Sequence, residues 1–284
     1  MANIIDGKLI SQQIKDEVKA KAEALKAKGC EPTLAVILVG EDPASQVYVR
    51  NKKRACEYVG IRSLSYELPE NTTEDELLSI IDKLNDDKSC NGILVQLPLP
   101  KHINEEKVLL RIKPEKDVDG FHPYNVGLLS IGKAKLKSCT PAGCIELLKR
   151  SGVEIPGKNC VVIGRSNIVG KPVSMLLLQE NGTVTTCHSR TKDLAAVCKN
   201  ADIIIAAVGK PNFLKGDMVS DGVVIIDVGI NRLDNGKLCG DVDYDECSKK
   251  ASLITPVPGG VGPMTIAMLM NNCIIACEEQ NRYE

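Results

Sequence analysis

Tyr48 and Lys52 stand four residues apart in a stretch of helical period (44–59), so they share a helix face one turn from each other. Gln96 closes a buried strand, GILVQL (92–97). The carboxyl ends of strands are where open α/β sheets keep their sites. Asp119 precedes Gly120 within KDVDGFHPY (116–124). Lysine and aspartate are residue types that exchange protons with a reacting group, and a glutamine amide both donates and accepts hydrogen bonds. Each signal has a plainer alternative. A Tyr/Lys pair at this spacing commonly marks an amphipathic surface, and Asp-Gly an Asx-turn. All three segments could nonetheless converge on one cleft.

A second constellation is VVIGRSNIVGKPVSMLLL (161–178), where a strand ends at Gly164 and Gly170-Lys171-Pro172 opens a helix. Backbone N–H groups at such a strand–loop–helix junction bind a pyrophosphate. The spacing is G-x-x-x-x-x-G rather than G-x-G-x-x-G, so the pattern without its flanking strand and helix is weak. The next strand ends TVTTCHSRT (183–191), with no acidic residue for a ribose 2′-hydroxyl. It offers His188, Ser189 and Arg190 instead, with Arg165 in the first loop. An arginine fork matches a 2′-phosphate, which favours NADP over NAD. His188 reads as an orienting neighbour, not as an acid or base.

The elements that must position these groups alternate between helical and strand periods, as in α/β proteins with parallel sheets. Residues 8–28 read as an amphipathic helix stopped by Gly29, and 33–40 and 61–67 as strands. A helix over 73–85 is capped by Thr72 or Thr73, with Glu76 placed for a capping box. The segment 97–102 must leave the sheet, because proline supplies no ladder donor. After a polar connector (131–139), Thr140 as N-cap and Pro141 at the first helical position open a helix to about 150. Strands follow at 159–164, 183–187, 202–208, 223–228 and 252–255, then a final helix over 264–278. The expected architecture is two α/β domains flanking a cleft. A discontinuous first domain comprises 1–139 and 264–284, and a Rossmann-like, NADP-binding second domain with a parallel sheet comprises 140–263.

Composition narrows the function. The chain has 284 residues, 43% of them hydrophobic, and carries 36 basic against 37 acidic side chains. That balance argues against a nucleic-acid partner, which needs a basic stripe. Without Trp and with two Phe, the cores must be aliphatic. Apolar runs such as 203–208 are too short to span a bilayer, so no membrane role is expected. The twelve Cys show no C-x-x-C spacing and only three His could join them, so no metal is expected. The first ten residues carry Asp6 and Lys8 and no long apolar run, so no signal peptide is expected. Thiol-rich composition then points to a reducing, cytoplasmic location.

Long motifs across both domains resemble one family. EDPASQVYVRNKKRACEYVGI (41–61), GILVQLPLP (92–100), PEKDVDGFHPYNVGLL (114–129), CTPAGC (139–144), GRSNIVGKP (164–172), DVGIN (227–231) and TPVPGGVGPMT (255–265) are similar to the bifunctional methylenetetrahydrofolate dehydrogenase/cyclohydrolases. The resemblance implies oxidation of 5,10-methylenetetrahydrofolate with NADP and hydrolysis of the methenyl product to 10-formyltetrahydrofolate. It implies Lys52 as the central catalytic residue, Tyr48 shaping the folate pocket, Gln96 hydrogen-bonding the lysine and Asp119 holding the pterin through its N–H donors. Gly164, Arg165, Ser166, Ile168, His188, Ser189, Arg190 and Ile230 would bind the cofactor. Pro258, Gly259, Gly260, Val261, Gly262 and Pro263 would form a loop lining the cleft. A homodimer is implied too, with the edge strand around 183–187 as candidate interface, and a product serving purine biosynthesis. Alternatives are a monofunctional or NAD-preferring dehydrogenase of the same family, a shikimate- or amino-acid-type dehydrogenase, and a non-catalytic nucleotide binder. The Tyr48/Lys52/Gln96/Asp119 set argues against the shikimate- or amino-acid-type dehydrogenase, and binding of folate and nucleotide without turnover would mark the non-catalytic binder.

Overall fold

The computed structural model describes residues 2–282. In chain order its elements are β1 (Asn3–Ile4), α1 (Gly7–Ala27), β2 (Thr33–Val39), α2 (Pro43–Val59), β3 (Arg62–Leu68), α3 (Glu74–Asp86) and β4 (Gly92–Val95). Then come α4 (Glu105–Arg111), α5 (Pro123–Ser130), α6 (Cys139–Arg150), β5 (Asn159–Ile163), α7 (Gly170–Gln179), β6 (Thr183–Cys187) and α8 (Leu194–Lys199). The remainder is β7 (Ile203–Ala206), β8 (Val224–Asp227), the short β9 (Asn231–Arg232) and β10 (Leu238–Cys239), α9 (Tyr244–Cys247), β11 (Leu253–Ile254) and α10 (Val261–Gln280).

Two compact units result, one of Met1–Gln12 with Ser138–Thr265 and one of Gln13–Lys137 with Ile266–Glu284. The first holds a six-stranded sheet in the order β1-β11-β8-β7-β5-β6, with every pair parallel. Its central strands β7 and β8 are buried throughout, as aliphatic runs in a sheet covered on both faces must be. Ile163, Ile204, Ile225 and Leu214 anchor the core on one side of it. The second unit holds β3-β2-β4, also parallel. There β2 (TLAVILV) is buried at every position, and Ile37, Leu77, Ile81 and Ile93 pack its core. Each such side chain contributes about 1.5–3 kcal/mol of transfer free energy.

The N-terminus differs from the expected division. Residues 1–12, expected in the folate domain, join the other unit: β1 pairs in register with β11, Asn3 beside Leu253 and Ile4 beside Ile254. Ile5 N–H continues the ladder to the Ile254 carbonyl at 2.9 Å. Gly7 is needed behind it, because a Cβ there would lie 1.8 Å from the Gly260 carbonyl oxygen. The other boundaries, 138 against 140 and 265 against 263, shift by two residues.

Two helix starts also move. The α6 helix begins at Cys139 with Ser138 before it, so Pro141 is its third residue. Thr140 is therefore inside the helix, its hydroxyl 2.9 Å from that of Thr265. The α10 helix begins at Val261 rather than 264, so Val261, Gly262 and Pro263, expected in a loop, form its first turn. Proline fits there because first-turn N–H groups have no intrahelical acceptor. By length and composition α10 is apolar enough to cross a membrane, yet 61% of that span is buried inside the protein. Met264, Leu269, Met270, Cys273 and Ile274 are among its buried side chains, which makes it a core helix.

The capping box at α3 forms on Thr73, not Thr72. Thr73 Oγ1 accepts from Glu76 N–H at 3.3 Å, and the Glu76 carboxylate accepts from Thr73 N–H at 2.8 Å. Thr73→Ala is expected to lower unfolding stability by about 1 kcal/mol, the usual worth of such a cap, read from urea denaturation.

Candidate active site

The α2 helix opens on Asp42, whose carboxylate accepts from Ser45 N–H at 2.7 Å, with Pro43 at its first position. From this fixed start, Lys52 falls on a buried face with only 9% exposure. Its Nζ donates to Gln96 Oε1 at 2.9 Å. Gln96 follows directly on β4, and its Nε2 donates to the Leu97 carbonyl at 2.7 Å. That second bond orients the amide: turned over, it would set oxygen against oxygen at Leu97 and nitrogen against the ammonium.

Asp119 belongs to the same constellation. Burial pushes its carboxyl up to about 6, against the opposing pull of the nearby Lys52 ammonium, and Asp117 adds to the rise. A buried carboxyl raised in this way, within the field of a buried lysine, is a candidate functional group. Tyr48 lies one turn before Lys52 and is exposed at 44%, a wall beside the lysine at the mouth of the group. The structure thus brings Lys52, Gln96 and Asp119 together and sets Tyr48 at their margin.

Three residues that the sequence reading passed over hold Asp119 in place. Asp117 is buried and accepts from His122 N–H at 2.8 Å, Phe121 N–H at 3.3 Å and Asn125 Nδ2 at 2.9 Å, closing the 117–122 turn. Asn272, on α10, donates through Nδ2 to the carbonyls of Val118 and Lys137, each at 2.8 Å. Gly92 leaves room for Val118, whose Cγ1 would sit 2.6 Å from a Cβ there. The D-x-D-G spacing of 117–120 was the available signal for Asp117. For Asn272, 154 residues from Val118, there was none.

In the first unit, the β5–α7 loop explains both of its glycines. Gly164 has φ of 132°, and a Cβ on it would meet the Ala207 carbonyl oxygen at 2.1 Å. A Cβ on Gly170 would lie 2.3 Å from the Gly164 carbonyl oxygen. Between them, Ser166 Oγ accepts from Val169 and Gly170 N–H, both at 3.2 Å, and caps the start of α7. The N–H groups of Arg165, Ser166, Asn167 and Ile168 donate to no described residue. Four free amides before a ten-residue helix are the chemistry a pyrophosphate needs, so the dinucleotide fits this loop.

After β6, the His188 carbonyl and backbone N–H bond Thr191, and its Nδ1 accepts from Arg190 N–H at 3.1 Å. His188 therefore shapes the turn that presents Ser189 and Arg190, both exposed, as is Arg165. The next acid, Asp193, caps α8 by accepting from Ala196 N–H at 3.1 Å. Ile168 and Ile230 are exposed at 48% and 50%, apolar surfaces on either loop system. Of the 258–263 segment, Pro258, Gly259 and Gly260 form the turn before α10, with Gly259 at φ of 107°.

Among the described residues no group of three or more His, Cys, Asp or Glu could hold a metal ion. All twelve cysteines are free thiols, ten of them buried, and burial pushes those of Cys56 and Cys144 up to about 12. Such thiols are poor nucleophiles.

The sequence matches the tetrahydrofolate dehydrogenase/cyclohydrolase catalytic domain over residues 5–119 and the NAD(P)-binding domain of that family over 138–281. It is 68% identical to the bifunctional protein FolD of Agathobacter rectalis, across 97% of this chain and 99% of that one. Among solved structures, the FolD methylenetetrahydrofolate dehydrogenase/cyclohydrolase of Campylobacter jejuni is similar with a TM-score of 0.96 and 54% identity, covering 98% of this chain and 99% of the other. The Trypanosoma brucei enzyme, solved with NADP cofactor and inhibitor, is similar with a TM-score of 0.93 and 41% identity, covering 99% of each. Matched over both units, with Lys52, Gln96 and Asp119 assembled in one and the dinucleotide loop in the other, the chain belongs to the tetrahydrofolate dehydrogenase/cyclohydrolase family.

Proposed function

We propose that the chain oxidises 5,10-methylenetetrahydrofolate to the 5,10-methenyl cation with NADP, and hydrolyses that cation to 10-formyltetrahydrofolate. The observation that carries this reading is the Lys52–Gln96 hydrogen bond of 2.9 Å beside Asp119. Hydride transfer alone needs no such group, since the two bound reactants supply the chemistry once they are juxtaposed. Hydrolysis does need one. Water adds to the methenyl carbon and releases one proton, and as the bond from that carbon to the ring nitrogen breaks, the hydroxyl's second proton passes to the departing nitrogen and leaves the formyl C=O. Lys52 relays that proton, Gln96 orients its Nζ, and Asp119 accepts the pterin's N–H donors. Tyr48 walls the folate pocket.

NADP supplies the hydride acceptor. The amides of 165–168 hold its pyrophosphate, while Arg165, Ser189 and Arg190 take the 2′-phosphate. Ile168 and Ile230 offer apolar surface, and the turn at 258–260 completes the nucleotide side. The same reading includes a cytoplasmic homodimer and a product that serves purine biosynthesis. Edge strand β6, with Thr183, Thr185 and Thr186 exposed, supports it as the docking edge.

The test is a spectrophotometric assay with methylenetetrahydrofolate, run with NADP and with NAD. NADPH formation with little methenyl accumulation is expected. Reduction with persistent methenyl product would leave a dehydrogenase only. Arg190→Ala combined with Arg165→Ala is expected to cut the preference for NADP over NAD by about tenfold or more, each charge-assisted phosphate contact being worth roughly 1.5–3 kcal/mol before solvent screening. An unchanged ratio would remove both arginines from the 2′-phosphate site.

A further inference from the structure

Two carboxylates, neither used by the chemistry above, lie back to back beneath the nucleotide side of the first unit. Asp227 ends β8 at 4% exposure, and Asp241 is wholly buried. Asp227 Oδ1 accepts from Gly229 N–H at 3.0 Å and Asp241 N–H at 2.9 Å, and its Oδ2 from Val242 N–H at 3.0 Å. Asp241 Oδ2 accepts from Val208 N–H at 2.6 Å and Gly209 N–H at 2.8 Å. Its Oδ1 takes Lys210 N–H and Asn231 Nδ2, each at 2.9 Å. Neither carboxylate has a cationic partner among the described residues. Their negative charge is answered by peptide N–H groups and the Asn231 side-chain amide.

The two segments interlock through their glycines. A Cβ on Gly229 would lie 2.2 Å from Asp241 Oδ1, and one on Gly240 would lie 1.8 Å from Asp227 Oδ2. Each carboxylate thus sits where the other segment has no side chain. The loop that Asp241 gathers, 208–210, leaves β7 immediately after Ala207, whose carbonyl lies against Gly164 of the dinucleotide loop. Asn231, which it also holds, fixes the segment carrying exposed Ile230. One side chain therefore ties the loops after β7 and β8 together and sets them against the loop after β5.

The sheet order β8-β7-β5-β6 says which half of the ligand this affects. A dinucleotide bound in the usual way for such a sheet would set its pyrophosphate over the β5–α7 junction and its adenosine ribose over the end of the second strand, β6. The nicotinamide half would then fall on the β7–β8 side. We propose that Asp241 is a positioning residue for the nicotinamide half of the dinucleotide, acting through the 208–210 loop and Asn231. This rests on the reading of the first unit as an NADP site.

The experiment uses the full chain and two probes, NADP and adenosine 2′,5′-bisphosphate, which carries the adenosine half alone. In Asp241→Asn the shape persists, but an amide that donates as well as accepts faces N–H groups. The variant is expected to bind NADP about tenfold more weakly, the effect of one compromised charged acceptor. Its kcat for hydride transfer should fall, with the bisphosphate bound within about twofold of wild type and the KM for methylenetetrahydrofolate unchanged. Should Asp241→Asn fail to fold, Asn231→Ala removes one of the four bonds and is expected to shift NADP affinity in the same direction with the bisphosphate unaffected. Equal weakening of both probes, or of neither, would overturn the proposal. Failure of the wild-type protein to bind either probe would instead remove the NADP reading itself.

Discussion

Lys52→Met slows hydrolysis of the methenyl intermediate by about 10²–10⁴-fold, the range that a positioned proton-transfer group contributes. NADP-dependent hydride transfer continues, so methenyl product accumulates where the wild-type protein shows little. The two steps separate because they ask different things of the protein. Hydride leaves the bridging carbon without any proton being removed, whereas water addition moves a proton from oxygen to a ring nitrogen. Lys52 is the only described ammonium hydrogen-bonded to Gln96, and at 9% exposure bulk water is a poor substitute for it. Methionine matches the length and fills the buried volume without charge, which keeps the packing cost small. Gln96 loses its donor on one side but keeps its bond to the Leu97 carbonyl. Hydrolysis at the wild-type rate in this variant would show that Lys52 does not carry the proton.

How far such a site can be read from sequence depends on the range over which its parts are held. Helical period placed Lys52 on one face of a helix with Tyr48, but only the long motif around it pointed to a role, whereas the strand leading to Gln96, buried along its whole length, was legible from its aliphatic run. The α3 cap was legible for the same reason, since Thr73 and Glu76 satisfy each other three residues apart. Strand β1 was not, because two residues carry no periodicity and its partner, β11, lies some 250 residues on. Asn272 and Asp241 were invisible in a stronger sense. Apart from the Asn231 amide on Asp241, the bonds described go to backbone groups at Val118, Lys137 and Val208–Lys210, and a backbone acceptor or donor leaves no mark on the partner's residue type. The glycines facing those carboxylates, Gly229 and Gly240, carry the trace, but one that many turns would also produce. The nucleotide loop fell between these cases. Its spacing was weak, and only the clash partners of Gly164 and Gly170 explain why both positions must lack a side chain.

Protonation of Asp119 weakens folate capture, so kcat/KM for methylenetetrahydrofolate falls by about tenfold per pH unit below pH ~6 while kcat changes less. The cause is the burial that pushes this carboxyl up to about 6 in the free protein. Once protonated it no longer offers two acceptor oxygens to the pterin's donors. Asp119→Asn lowers kcat/KM at neutral pH and flattens the profile between pH 5 and 7, and a profile unchanged from wild type would exclude Asp119 as the titrating group. Stability moves in the opposite sense. With the folded value raised above the unfolded 3.8, the carboxyl's contribution is fully present below about pH 4 and is lost as pH rises through about 6. Above that, the buried charge costs on the order of 3 kcal/mol, each pH unit of displacement being about 1.4 kcal/mol. The amide escapes that cost, so Asp119→Asn should melt above wild type at pH 8 and converge with it toward pH 4. A substitution that stabilises the fold while disabling capture would mark Asp119 as a residue kept for its ligand, since the empty fold is better off without its charge.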